Sequence, residues 1–327
     1  MPRALITGIT GQDGSYLTEL LLSKGYEVHG IIRPGRSPAQ SHLAHLVSDP
    51  GVYQRRLFLH FADLDDSDAL REAVQRSAPD ELYHLAAPSR PGLSFKFPEA
   101  ACSQIGVGTV RLLEAVRTLS KPPRFFHASS SEVFGRPEAQ PQDETTPFRP
   151  VTPYGAAKAL ASQMVSIYRD AYGLFACNGI LYNHESPRRG EDFVTQKVCR
   201  TAAAIKLGRA TELQMGSLAG RRDWGDAREY VRGMWLALQH DTPGDYVFAT
   251  GQLHSVQDVV EIAFDVVGLD WKQYVRQNPA FIRPNEPVNL VGNPAKARAV
   301  LNWNPATEFR SLIADMTRAA LAQLSRG

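Results

Sequence analysis

Tyr154 and Lys158 stand four residues apart, and the run Ser129-Ser130-Ser131-Glu132 lies shortly before them. On a helix, Tyr-x-x-x-Lys puts both side chains on one face, a single turn apart. An ammonium at that spacing lowers a phenol's pKa and favours the phenolate, a base able to take the proton of a sugar hydroxyl. A hydroxyl such as that of Ser130 holds the same oxygen. This trio suits hydride transfer between a carbinol and a nicotinamide. Glu132 adds a carboxylate that a simple dehydrogenase does not need, so a second proton transfer is expected. The plainer alternatives are a capped strand end for Ser129–Ser131 and a first-turn helix carboxylate for Glu132.

Such side chains need a scaffold. The first half of the chain alternates short apolar runs with helical patterns. Strands are expected at Ala4–Thr7, Glu27–Ile32, Leu57–Phe61, Glu81–Leu85, Arg124–Ala128 and Leu174–Leu181, and helices near Ser15–Lys24, Ser67–Ser77, Ile105–Thr118 and Pro153–Tyr172. This alternation predicts an α/β fold, a Rossmann-type doubly wound parallel sheet. After Asn183 loops lengthen and basic residues cluster. Helices near Phe193–Leu207, Glu229–Gln239, Val256–Val267 and Phe309–Gln323 dominate. The reading is a cofactor-binding domain over 1–182 and a smaller mixed α/β substrate domain over 183–327, whose chain crosses back to the first sheet.

The net charge of +2 gives no electrostatic case for nucleic acid or an anionic membrane. No run approaches a membrane span, and the first strand starts too early to leave room for a signal peptide. Cys102, Cys177 and Cys199 are odd in number and lack metal or CxxC spacing. A cytoplasmic protein is expected. His184 has no second ligand at metal spacing, and His42 and His45 read as surface residues, so no metal site is predicted.

The first strand runs into Gly8-Ile9-Thr10-Gly11-Gln12-Asp13-Gly14 and then a helix. Glycines in that context allow a tight turn and close approach of backbone to a pyrophosphate, with the helix N-terminus adding N–H donors. At the end of the second strand, where an NAD enzyme usually carries a carboxylate, the chain has Arg33-Pro34-Gly35-Arg36. Two guanidinium groups suit a 2′-phosphate, so NADP is the expected cofactor. Asp63-Leu64 would meet the adenine edge, and the small residues of Leu85-Ala86-Ala87 would lie by the nicotinamide ribose.

Together these motifs resemble the extended short-chain dehydrogenase/reductases. The match narrows with Thr7–Leu17, Ser129-Ser130-Ser131-Glu132, Pro153–Lys158 and Asn183-His184-Glu185-Ser186-Pro187-Arg188-Arg189-Gly190. Phe193-Val194-Thr195, Arg222-Asp223-Trp224-Gly225 and Leu301-Asn302-Trp303 extend it over nearly the whole chain. The sequence is similar to the GDP-mannose 4,6-dehydratases. The resemblance implies Ser130, Glu132, Tyr154 and Lys158 as the catalytic set. Tyr154 takes the O4 proton, Glu132 the C5 proton, and Lys158 lowers the Tyr154 pKa and holds the nicotinamide ribose. It further implies a GDP-sugar bound by Ser89, Asn183, Val194, Lys197, Ser217, Arg222, Arg283 and Glu286, and a homodimer or homotetramer paired through Ile105–Thr118 and Pro153–Tyr172. Arg188, Arg189 and Arg221 read rather as solvated basic loops.

The pattern departs from the family in places. Ser130 stands where many members carry Thr, which keeps the hydroxyl. Pro88-Ser89-Arg90-Pro91-Gly92 replaces the usual Gln-Ser-His-Val, Pro34 replaces a second Arg, and Ser217 and Gly220 alter the strip before Arg222. A GDP-heptose dehydratase and a sugar-nucleotide 4-epimerase are the competing readings. Glu132 argues against the epimerase, which has no need to deprotonate C5. A dinucleotide-binding regulatory protein would not be expected to keep the Tyr/Lys pair.

Overall fold

The computed structural model describes residues 1–279 and 289–326. In chain order its strands are β1 (Arg3–Thr7), β2 (Glu27–Ile32), β3 (Leu57–Phe61), β4 (Glu81–His84), β5 (Arg124–Ala128), β6 (Ala176–Leu181), β7 (Asn183–Glu185), β8 (Leu213–Met215), β9 (Arg221–Asp226), β10 (Asp245–Phe248), β11 (Leu253–Ser255) and β12 (Val275–Gln277). Seven of them form one parallel sheet in the order β10-β6-β5-β4-β1-β2-β3. This is the doubly wound Rossmann-type sheet predicted from the sequence. Chain order reverses between β1 and β4, and ligands of such sheets bind in the crevice beyond the strand ends at that point.

Burial explains the sequence pattern. β4 and β6 are buried along their whole length, so both faces are covered and the runs are continuous rather than alternating. β3 closes the far edge, and its last residue, Phe61, is exposed. Element ends differ from expectation where local chemistry intervenes. The first helix begins at Gln12 rather than Ser15, because extended Gly11 serves as its N-cap; Asp13 and Gly14 thus fall in its first turn. β6 starts at Ala176 and β4 stops at His84. The expected Ile105–Thr118 helix is Gly108–Arg117, entered through a wide i→i+5 turn over Cys102–Val107.

The helix Pro153–Tyr172 is delimited by its own sequence. Thr152 Oγ1 accepts from Gly155 N at 2.9 Å, Pro153 occupies the first helical position, and Gly173 ends the helix at φ +66°.

Beyond β6 the chain builds a small mixed sheet, β11-β9-β7, and the pair β8–β12. The helices Val194–Lys206, Val256–Val266 and Phe309–Arg326 pack on each other through Cys199, Ala202, Val260, Phe264, Ile313 and Met316. The helix Ala227–Gln239 packs instead on Gln12–Ser23, and β10 joins the main sheet beside β6. Residues after 183 therefore contribute to both the small unit and the first core.

Candidate active site

Ser130, Glu132 and Tyr154 come together where β5 ends and the Pro153–Tyr172 helix begins, and Lys158 follows one turn along that helix. Extended Ser130 caps the single turn Ser131–Val133, its Oγ accepting from Glu132 N at 3.2 Å. The Ser130 hydroxyl favours the ionised form of the Tyr154 phenol and the Glu132 charge opposes it. Tyr154 and Lys158 are both buried on one face of the helix.

The electrostatics differ from the expectation that Lys158 makes Tyr154 a phenolate. Burial pushes the Tyr154 phenol up to about 12, and Glu132 adds to the rise; the groups pulling it down are Ser130 and Arg189. Lys158 directs its ammonium to the Ala128 carbonyl at 2.5 Å, at the end of β5. Burial brings its pKa down to about 7. Desolvation opposes the charged form of both groups, and the sequence spacing carries no measure of it.

The glycine loop is built for close approach. Gly8 has φ +71°, and a Cβ there would lie 2.9 Å from Ala86 Cα. A Cβ on Gly14 would run into the Gly8 carbonyl. Thr7 Oγ1 accepts from Leu85 N at 3.1 Å and Ala86 N at 3.0 Å, drawing the end of β4 against the loop. Gly8, Thr10, Gly11, Gln12, Asp13 and Gly14 therefore share one crevice edge with Leu85, Ala86 and Ala87. This bare backbone cradle at a helix N-terminus fits a dinucleotide pyrophosphate.

The run Asn183–Gly190 is stitched to this loop. Gln12 Nε2 donates to the His184 carbonyl at 3.0 Å, and Ser186 Oγ donates to Gln12 Oε1 at 2.8 Å. Arg188 bonds Ser15 Oγ at 3.0 Å and Glu19 at 2.6 Å, and its guanidinium lies 4.0 Å from the Tyr16 ring centroid. Arg189 stacks 3.6 Å over Phe193 and pairs with buried Glu185 at 3.1 Å. Both arginines are mostly covered, contrary to their reading as solvated loop charges. Arg189 is the residue the sequence reading missed. Its only signal was its place inside the most specific motif of the chain.

Toward the β3 edge of the sheet, Arg33 pairs with Asp63 at 3.2 Å across the ends of β2 and β3. Arg33 and Arg36 are both exposed and joined by a tight turn, with Arg36 N bonded to the Arg33 carbonyl at 3.2 Å. Leu64 is buried, and its carbonyl accepts from Arg111 at 3.0 Å.

On the opposite wall, Asn183 of β7 pairs with Trp224 of β9, two residues from Arg222. Val194 opens the helix Val194–Lys206, and Lys197 donates to the Gln214 carbonyl of β8 at 2.6 Å. Exposed Ser217 follows β8. Ser89 lies exposed in the loop after β4. Arg283 and Glu286 fall outside the described residues.

Residues 5–316 match the GDP-mannose 4,6 dehydratase family. The chain is similar to GDP-mannose 4,6 dehydratase 2 of Arabidopsis thaliana, 48% identical over 315 residues, covering 95% of this chain and 84% of the relative. It is 45% identical to the GDP-mannose 4,6 dehydratase of Homo sapiens, covering 97% of this chain and 90% of the relative. Among solved structures, the fold resembles DesIV, a dTDP-glucose 4,6-dehydratase from Streptomyces venezuelae with NAD and TYD bound. The TM-score is 0.86 at 23% identity, over 99% of this chain and 98% of that one. It also resembles RMD from Pseudomonas aeruginosa complexed with NADPH, at TM-score 0.81 and 20% identity, over 98% of this chain and 100% of that one. With the family matched from the first strand to the last helix, the chain belongs to the GDP-mannose 4,6-dehydratases.

Proposed function

We propose that this protein is a lyase that converts GDP-mannose to GDP-4-keto-6-deoxymannose and water. The observation that carries the reading is the meeting of Glu132 with Ser130 and Tyr154 beside the glycine cradle. A nicotinamide dinucleotide held by Gly8–Gly14, Leu85–Ala87, Tyr154 and Lys158 supplies a hydride acceptor for C4 and a hydride donor for C6. Tyr154 acts from its phenolate form, which Ser130 and the Arg189 charge favour against burial, and receives the O4 proton as C4 is oxidised. The 4-ketone acidifies C5–H. Glu132 takes that proton and delivers one to the departing C6 hydroxyl, which leaves as water. As C6 becomes the methyl group, C5 takes a proton from solvent through Glu132, and Tyr154 gives the O4 proton back to solvent, so the protons balance and both side chains are reset. Arg189 offsets part of the burial that keeps the Tyr154 phenol protonated, so it assists the first proton transfer.

The cofactor is NADP in this reading, supported by Arg33 and Arg36 at the end of β2. Asn183, Val194, Lys197, Ser217 and Arg222 form the described part of the GDP-sugar wall. The protein is read as cytoplasmic, and a homodimer or homotetramer is supported by the exposed Val107, Leu160, Ile167 and Tyr172 on and beside the two long helices. Incubation with GDP-mannose and catalytic NADP⁺, followed by mass spectrometry and proton NMR, tests the reaction. Loss of one water, a new C6 methyl and no net NADPH are expected. Bound cofactor with GDP-mannose returned unchanged would overturn the substrate.

A further inference from the structure

The loop after β4 makes a link that the dehydration chemistry does not require. Pro88 and Pro91 limit its backbone freedom. Pro91 starts the turn Pro91–Ser94, and Ser94 Oγ accepts from Tyr154 N at 3.1 Å. One end of the loop is thus tied to the first turn of the helix that carries Tyr154. From the same loop Arg90 reaches Asp192, with Nη2 to Oδ2 at 2.5 Å. Asp192 lies in the turn closed by Phe193 N to the Gly190 carbonyl at 3.1 Å, which leads into the helix of Val194 and Lys197. Phe193 carries the Arg189 guanidinium 3.6 Å over its ring. The links run from Tyr154 through Ser94 to the loop, and from its Arg90 through Asp192 and Phe193 to Arg189.

We infer that Arg90 and Asp192 are a matched pair of positioning residues that pins the loop after β4 across the sugar end of the cleft and limits the size of the sugar accepted. The inference rests on the 4,6-dehydratase reading, which puts sugar C4 at Tyr154. Both side chains are more than half exposed, at 57% and 58%. A pair that open contributes little to folding stability. Its effect is geometric, because it joins the wall that holds Tyr154 to the wall that holds the nucleotide contacts. A weak bond there also suits a strap that opens for each substrate and product.

The test uses the full-length protein and the variants Arg90→Ala, Asp192→Ala and the charge swap Arg90→Asp/Asp192→Arg. Hydrogen exchange of the peptide covering residues 86–97 reads the strap without reference to activity. The ratio of kcat/KM for GDP-mannose to that for a GDP-heptose, one carbon larger, reads its role. Each single variant should exchange faster and lose discrimination by about 3- to 5-fold, as expected for an exposed pair, and the swap should restore both. Unchanged exchange in the single variants would overturn the strap. Unchanged discrimination would overturn its role. Tighter GDP-mannose binding in Asp192→Ala, with no rescue by the swap, would mean that Arg90 contacts the substrate itself and would also overturn the pairing. If the wild type turns over no GDP-sugar, the dehydratase reading fails and the size-limiting role falls with it, while exchange still decides whether the strap exists.

Discussion

His184 Nε2 donates to Asp13 Oδ2 at 2.8 Å, and His184 Nδ1 donates to the Tyr182 carbonyl at 2.7 Å. A carboxylate and a carbonyl only accept, so both ring nitrogens carry hydrogen and His184 is an imidazolium. Burial pushes its pKa down, but the Asp13 charge and hydrogen bond outweigh that and raise it. Burial likewise pushes Asp13 up, and the His184 charge and hydrogen bond bring it below its ordinary value. The pair fastens the glycine loop to the Asn183–Gly190 run.

This pair should give stability a pH dependence of defined sign. The His184 contribution is complete below its ordinary 6.5 and is lost as pH rises through its raised folded value. The Asp13 contribution is complete above its ordinary 3.8 and is lost as pH falls through its lowered folded value. The pair therefore stabilises most between these limits. His184→Phe leaves a largely buried carboxylate without its cation, at a cost of about 2 to 4 kcal/mol near pH 6. Urea unfolding at about pH 6 and about pH 9 checks this, since the deficit should shrink at the higher pH. His184 also stacks on Tyr230 with ring centroids 4.7 Å apart, and a deficit independent of pH would mean that the ring acts through that packing alone.

Lys158 predicts the reverse trend. Its folded pKa of about 7 lies below its ordinary 10.5 because burial disfavours the cation. The unfolded chain thus binds the extra proton between those values, and stability rises with pH across that window. Lys158→Met should abolish turnover and yet be more stable than wild type near pH 6, with the margin closing near pH 10. Calorimetry of the two proteins at both pH values measures this. A less stable Met variant near pH 6 would show that the bond to the Ala128 carbonyl outweighs desolvation.

How far the site was legible follows from the range of each contact. The glycine loop, the Tyr/Lys pair and Ser130–Glu132 are local patterns, and local patterns survive in a sequence. His184 and Asp13 are 171 residues apart, and Arg188 and Ser15 are 173 apart. Nothing in the spacing of either segment announces these contacts, so Arg188 and Arg189 looked like loop charges. The rise of the Tyr154 pKa by burial is hidden for a related reason: helical spacing reports which groups are neighbours and says nothing of the water removed around them. β10 lies beside β6 in the main sheet, and its short apolar run Tyr246-Val247-Phe248 could have marked it as a strand.

Glu132→Gln separates the two proton transfers. The amide keeps the shape of the side chain but is no base for C5–H. Cofactor reduction by GDP-mannose in a single turnover should persist, within about tenfold of wild type, because Tyr154 and Ser130 are untouched. Solvent deuterium should no longer enter C5, and no 6-deoxy product should form. Product formation at the wild-type rate would remove Glu132 from the mechanism.

Arg33 and Arg36 give the last prediction. Their turn ends β2 with no carboxylate in place for a ribose hydroxyl, and the Asp63 carboxylate at 3.2 Å from Arg33 orients that guanidinium at the rim of β3. A 2′-phosphate would meet two cations there, and each charge-assisted contact is worth about 1.5 to 3 kcal/mol. Replacing both by Ala should therefore weaken NADP binding by at least about 100-fold and NAD binding by only a few-fold. Titration of the two cofactors by calorimetry gives the ratio directly. Equal losses would mean that the arginines serve the loop's conformation rather than a phosphate, and NAD would then be the natural cofactor to test for turnover.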